Sequence, residues 1–456
     1  MNYDVIFIGS GHANNHGAGL LAAAGKKVAM IEADKFGGVC TNYGCDAKIL
    51  LDGPFEYLDG LNNYQDLGLK ADVQIDWAAM MAHKRKTLAG FQEVFPPRFK
   101  NLGIDIINGR GTIVDTHTVS VGGQHYTADY IVIGTGARNA KLNIPGKEFT
   151  QGSTEFLDLD ALPEHMIVIG AGIIGMEFAS MALLAGKKVT FFEYAERPLL
   201  AYPEKYVQKI VAKFEAQGAV FHFGQAVSQV EKTDNGFRVA TADGLSATGD
   251  FVLDATGRIA NIENLGFENL GIEASSRGIE ASSRGIKVDN HMRTAVPNIY
   301  ASGDVVDKTI PKLTPTAEFE SNYIARDILN SDGAAITYPV IPNLVFTLPR
   351  IGQVGVTIDE AKAHPDQYKL VEIPWGERRD WVNNHELDAE LALIFDKEDY
   401  LVGAAAISSQ AGTWLDWLTP IIEKKMTAQD LNSMIMSFPT QTYMLWSTLT
   451  PLLRAQ

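Results

Sequence analysis

Both cysteines of this 456-residue chain fall in one short segment, Gly37-Gly-Val-Cys40-Thr-Asn-Tyr-Gly-Cys45. Two sulfurs so close in sequence can exchange electrons as a thiol–disulfide couple, contribute half of a metal site, or sit together by chance. A chain of this length with only two cysteines has no disulfide framework, so the pair needs a local reason. Two sulfurs are an incomplete zinc site, and no other Cys or His cluster stands at ligand spacing. Redox exchange is therefore the better reading, and no metal site is expected. The residues after Cys45 read as the start of a helix, whose partial positive charge would favour a thiolate. Lys48, one turn on and on the same face, would add to it.

The elements around this segment say what it exchanges electrons with. An apolar run, Val5 to Ile8, leads into Gly9-Ser-Gly11-His-Ala-Asn14, then a helical stretch, then a second apolar run closing on Glu32. Strand, glycine turn, helix, strand and acid is the order of a dinucleotide-binding βαβ unit. The glycines admit a pyrophosphate, the helix N-terminus favours its charge, and Glu32 accepts from a ribose. Asn14 stands where a third glycine is usual, and Gly17 is the nearest substitute for close packing. A complete second copy begins at Met166, with Gly170, Gly172 and Gly175 in the turn and Glu193 closing the second strand. An acid there bonds ribose hydroxyls and repels a 2′-phosphate, which favours NADH over NADPH, although Arg197 is near enough to offer a phosphate a partner. Two dinucleotide sites beside a cysteine pair suggest a relay in which one nucleotide delivers hydride and a flavin holds it. Gly38 lets backbone approach a flat cofactor. Gly136 ends another apolar strand, Gly257 and Arg258 follow a further one, and Gly303 sets up Asp304, a candidate ligand for a flavin's ribityl hydroxyls.

The remaining sequence bounds the rest. At 456 residues the chain is expected to form several domains. Its 46% hydrophobic and 21% charged residues describe an ordinary globular protein. A net charge of −16 disfavours nucleic acid and anionic membranes as partners. No apolar run approaches the ~20 residues of a membrane span, and a cytoplasmic enzyme acting on a small-molecule acceptor is expected. A helix is expected from about Trp77 to Val94, with the basic run His83-Lys-Arg-Lys86 as a solvated face. Ile272-Glu-Ala-Ser-Ser-Arg-Gly is repeated at once from Ile279 and reads as a silent duplication in a surface loop. From about Pro339 the texture changes to a third, α+β domain, whose aromatic residues read mainly as core.

Together these motifs resemble the pyridine nucleotide-disulfide oxidoreductases, the flavoenzyme family of glutathione reductase, dihydrolipoamide dehydrogenase and mercuric reductase. The resemblance spans essentially the whole chain. It implies an α/β protein with two Rossmann-like dinucleotide-binding domains, for FAD and NAD, and a C-terminal α+β dimerisation domain. The corresponding segments are 1–145 and 261–335 for FAD, 146–260 for NAD, and 336–456 for the interface of a homodimer whose active sites are completed across the subunit boundary. By the resemblance, Cys45 faces the flavin and Cys40 is the interchange thiol that attacks substrate. Lys48 matches the lysine near flavin N5, Glu177 its glutamate partner, and Asp304 the ribityl ligand.

Two departures bear on the chemistry. The proline usual after the second cysteine is missing from Cys45-Asp46-Ala47. The family's C-terminal His-x-His-Pro-Thr, with a glutamate three residues on, here reads Met436-Ser-Phe438-Pro-Thr440-Gln-Thr-Tyr443. Phenylalanine cannot transfer a proton, and losing such an acid-base typically costs on the order of 10²–10⁴-fold in rate. Tyr443 is a candidate replacement, although it matches the glutamate. Three readings follow: an NADH-dependent disulfide reductase; a flavin reductase of quinones, metal ions, oxygen or activated double bonds; and a non-catalytic flavoprotein docking subunit.

Overall fold

The computed structural model describes residues 2–272, 284–329, 333–378 and 385–456. The chain divides into two compact units. One comprises Met1–Leu51, Asp76–Ala161 and Leu253–Thr337, and the other Asp52–Ile75, Leu162–Val252 and Tyr338–Gln456.

The first unit is built on strands β1 (Asn2–Ile8), β2 (Val28–Glu32), β3 (Asp105–Asn108), β4 (Gly111–Asp115), β5 (Thr118–Val121) and β6 (Gln124–Ile133), ordered β3-β2-β1-β6-β5-β4. β1 runs parallel to both neighbours, with Val5 opposite Val28 on one side and Tyr130 on the other. The short strand Ile299–Ala301 extends the parallel part beside the end of β6. Val5, Ile6, Phe7 and Ile8 are all buried, which is why β1 reads as an unbroken apolar run instead of alternating. Helix α1 (His12–Ala23) makes the crossover from β1 to β2. Helices α2 (Gly38–Tyr43) and α3 (Cys45–Asn62) carry the two cysteines.

The helix expected to end near Val94 runs from Trp77 to Asn101, through Pro96 and Pro97. Phe99 helps hold this last part, its ring 5.1 Å from that of Phe36. Its basic run is not wholly solvated. Lys84 is buried because its ammonium reaches the Leu157 carbonyl at 2.7 Å and Asp158 at 2.9 Å. The duplicated heptad falls almost entirely outside the described residues.

In the second unit, strands His165–Ile169, Lys188–Phe192 and Val220–His222 run parallel. The Ile173–Leu184 helix supplies the crossover and is buried from Gly175 to Leu183. A three-stranded antiparallel sheet, Val227–Thr233, Gly236–Thr241 and Ser246–Gly249, follows. From residue 343 onward the unit contains a five-stranded antiparallel sheet, ordered Asn343–Val345, Arg350–Gly355, Leu401–Ser408, Glu390–Phe395 and Lys369–Ile373. The Ala411–Glu423 helix packs on it through the fully buried Trp414, whose ring lies 5.2 Å from that of Trp375. This is the expected α+β texture, with Trp414 in the core. Among the described residues, no helix is long and apolar enough to cross a membrane.

Candidate active site

The turn after β1 needs its glycines. Gly9 has φ +103°, and a side chain there would meet the Gly134 carbonyl at 2.5 Å. Asn14, at the third-glycine position, folds its amide back to donate to the Ile8 and Gly9 carbonyls, each at 2.9 Å. The asparagine thus closes the turn with hydrogen bonds where a glycine would close it by contact. Gly17 does not substitute for it. A Cβ on Gly17 would meet the Ser321 carbonyl at 2.5 Å, so this glycine serves helix-to-helix packing of α1 on the Thr314–Ile328 helix.

Glu32 ties the turn to the cysteine segment. Its Oε2 accepts from the Ser10 amide and hydroxyl at 2.9 and 2.6 Å, and its Oε1 from the Asp34 amide. The Ser10 hydroxyl in turn accepts from the Gly37 amide at 2.9 Å. Gly38, with φ +69°, brings its backbone so close to the turn that a Cβ would lie 2.9 Å from the Gly11 Cα. The second copy repeats this arrangement in the second unit. Glu193 accepts from the Ala171 amide at 2.5 Å and the Ala195 amide at 2.7 Å. Here Gly175 is the contact glycine, since a Cβ would meet the Gly170 carbonyl at 2.3 Å, while Gly172 faces open space. Arg197 spends its guanidinium on the carbonyls of Pro198, Leu199, Leu200 and Tyr202.

Cys40 lies in α2 and Cys45 is the first residue of α3, with Gly44 between the helices. Both are free thiols, Cys45 exposed and Cys40 partly covered. Thr314, at the start of the Thr314–Ile328 helix, bridges them: its Oγ1 donates to Cys40 Sγ at 3.3 Å and lies 3.6 Å from Cys45 Sγ. The Cys45 thiol is pushed down to about 6, first by its hydrogen bond with Cys40, then by Thr314 and the Lys48 charge, against the opposing cost of burial. Cys40 moves the other way, through the same thiol–thiol bond and burial. One negative charge shared by the pair therefore rests on Cys45. Thr314 was not singled out by sequence reasoning; its only signal is a Thr-Pro pair opening a helix.

Other predicted residues gather near these elements or apart from them. Gly136 and Gly257 flank opposite ends of the antiparallel ribbon in which Ala137–Asn139 pairs with Arg258–Ala260, and the Arg258 guanidinium donates to the Ala137 carbonyl. That bond makes Arg258 a support for the ribbon. The Ser302 hydroxyl donates to the Ala13 carbonyl at 2.6 Å, and the Gly303 amide to Glu320 at 2.7 Å. These bonds fix the turn that carries the half-buried Asp304 against the start of α1. Glu177 is buried in the second unit and accepts from the Phe346 amide at 2.8 Å. Lys48 belongs to the first unit. Tyr443 is in the second unit, its ring 4.9 Å from that of Phe438 and 5.4 Å from that of Trp446. Phe438 itself is 75% exposed and Ile435 fully so.

The backbone suits flavin and nicotinamide dinucleotides. The first turn is stripped of side chains where Gly11 faces Gly38, and among the described residues no atom other than those of the adjoining residues lies within 4 Å of where a Cβ on Gly136, Gly172 or Gly257 would be. Gly9, Gly11, Glu32, Gly38 and Asp304 would hold FAD, and Gly170, Gly172, Gly175 and Glu193 the nicotinamide dinucleotide.

Comparison with known proteins agrees. Residues 3–321 match the model of the pyridine nucleotide-disulphide oxidoreductases, and residues 341–448 that of the family's dimerisation domain. Dihydrolipoyl dehydrogenase of Bacillus subtilis is 30% identical over 449 residues, covering 96% of this chain and 93% of that protein. Glutathione reductase of a Nostoc species is 27% identical, covering 96% and 97%. Among solved structures, the HOCl-induced flavoprotein disulfide reductase RclA of Escherichia coli superposes with a TM-score of 0.86 at 25% identity, covering 99% of this chain and all of that one. With two Rossmann-like domains and a C-terminal dimerisation domain, the chain belongs to the pyridine nucleotide-disulphide oxidoreductases and is an FAD-dependent oxidoreductase of that family.

Proposed function

We propose that this protein is an NADH-dependent disulfide reductase that sends electrons from NADH through FAD to the Cys40/Cys45 pair. It does so without the histidine that usually protonates the leaving thiol. The observation that carries this reading is the Cys40–Thr314–Cys45 cluster beside the first glycine turn. Bound FAD would accept hydride from NADH and reduce a Cys40–Cys45 disulfide by an electron pair. On this reading segments 1–145 and 261–335 hold FAD, 146–260 holds NADH, and 336–456 is the interface domain.

Each residue then has a task. Cys45 keeps the thiolate, supported first by the Cys40 thiol, then by the Thr314 hydroxyl when its one proton turns from Cys40 to Cys45, and by the Lys48 charge. The proton on Cys40 has the Cys45 thiolate as an acceptor. Cys40, once deprotonated, attacks a substrate disulfide, forming a mixed disulfide and releasing one thiolate. Cys45 then attacks the Cys40 sulfur, releasing the second thiolate and restoring the disulfide. The first released thiolate takes the proton that Cys45 received from Cys40, which restores the Cys45 thiolate for its attack, and the second takes a proton from solvent or Tyr443, since Phe438 has none to give. A substrate whose thiols leave well without acid assistance fits such a site best.

NADH is favoured over NADPH because Glu193 would meet a 2′-phosphate with like charge, while Arg197 is committed to backbone carbonyls. The exposed Ile435 and Phe438, within the matched dimerisation domain, support a homodimer in which this face is covered and the partner completes the site. Cys40→Ser tests the proposal: disulfide reduction is lost while NADH-driven reduction of dye acceptors persists. If that variant reduces disulfides at the full rate, Cys40 is not the interchange thiol.

A further inference from the structure

No metal site is expected from the sequence, yet the fold brings Glu318, from far along the chain, to a pair of histidines spaced four residues apart on α1. His12 and His16 stand one turn apart on the same face of α1, and Glu318 comes from the Thr314–Ile328 helix packed against it. Among the described residues these three form the one group of metal-ligating side chains whose donor atoms converge. His12 Nδ1 lies 2.9 Å from Glu318 Oε1, His16 Nε2 lies 3.2 Å from that same oxygen, and the two ring nitrogens are 3.3 Å apart.

That triangle is what ligands on one ion make. Donors bonded at about 2.0 Å in tetrahedral geometry are separated by about 3.3 Å. A hydrogen-bonded cluster alone would gain by giving each imidazole N–H its own carboxylate oxygen; here both nitrogens meet one oxygen and each other. The separation of the helices is also fixed. The Gly17 amide, next to His16, donates to the Ser321 hydroxyl at 2.9 Å, and no side chain fits between them. The three side chains remain between 25% and 38% exposed, so an ion held there would keep outer positions open to water or another ligand.

We propose that His12, His16 and Glu318 form a binding site for a borderline divalent metal ion of the zinc class, a set of two imidazoles and one carboxylate suited to Zn²⁺, Co²⁺, Ni²⁺ or Cu²⁺. The site is separate from the thiols but close to them in the fold, since Thr314, which touches both sulfurs, is one helical turn before Glu318 on the same helix.

The test uses the flavin-loaded protein with both thiols alkylated, so that sulfur cannot take the metal. Calorimetric titration with ZnCl₂ is expected to show one bound ion per chain, and His16→Ala or Glu318→Gln to weaken it at least about tenfold. Wild-type protein with CoCl₂ is expected to show the visible d–d bands of a low-coordinate nitrogen and oxygen complex. This measurement decides the matter even where a variant loses stability. No zinc binding by wild type below about 100 μM, or wild-type affinity retained in both variants, would overturn the proposal; ΔG at that limit is only about −5.5 kcal/mol.

Discussion

Replacing Thr314 with valine removes a hydroxyl that touches both sulfurs while keeping the side chain's shape. A hydrogen bond to a charged acceptor contributes roughly 1.5–3 kcal/mol. The contacts here are long, 3.3 and 3.6 Å, and Cys45 is exposed, so about 1 kcal/mol is the reasonable share. With about 1.4 kcal/mol per pH unit, the Cys45 thiol should rise by about 0.7 unit. Its midpoint would move from about 6 toward about 7. The assay is the pH dependence of Cys45 alkylation by iodoacetamide in the reduced protein, followed by mass spectrometry of the Cys45 peptide. Because the thiolate reacts, the rate rises as pH rises through the midpoint, and the valine variant should lag at mildly acidic pH and converge with wild type in alkali. Thr314→Ser should restore most of the shift. A midpoint that stays put or moves down in Thr314→Val would refute the placement of charge on Cys45 through Thr314.

Other predictions test the two nucleotide turns and the charge beside the thiols. Wild-type protein should prefer NADH to NADPH by at least about tenfold in kcat/KM, equivalent to ~1.4 kcal/mol, and Glu193→Gln should narrow that ratio; equal constants in the wild type would refute the reading of Glu193. Asn14→Ala loses a buried hydrogen bond to the Ile8 carbonyl and a partly buried one to the Gly9 carbonyl and should lower unfolding free energy by about 1–3 kcal/mol in denaturant titrations, with weaker flavin retention. An unchanged midpoint would show that the turn closes without that amide. Lys48→Met should raise the Cys45 alkylation midpoint in the same direction as Thr314→Val, and a fall would contradict the charge's supporting role.

Much of the fold is visible in the sequence because it rests on local rules. An apolar run, a glycine turn, a helix and a closing acid can be read along the chain, and Glu32 and Glu193 proved to bond their turns in the same way. What escaped reading depends on distant segments meeting. Thr314 is 269 residues from Cys45, and nothing local marks it as a thiol ligand. Glu318 joins His12 and His16 only because Gly17 lets two helices approach closely. Lys84 looked solvated within a basic run, yet it is buried where the chain returns through Leu157 and Asp158. Asn14 looked like a defect in a glycine motif, and its amide turns out to do by hydrogen bonding what the missing glycine does by contact.

The central claim, that electrons pass from NADH through FAD into the Cys40/Cys45 pair, is tested most directly by anaerobic titration of the oxidised holoenzyme with NADH. A working relay takes up four electrons per subunit, two for the flavin and two for the disulfide, with new long-wavelength absorbance as the Cys45 thiolate forms. Uptake that stops at two electrons, with no such absorbance, would contradict it.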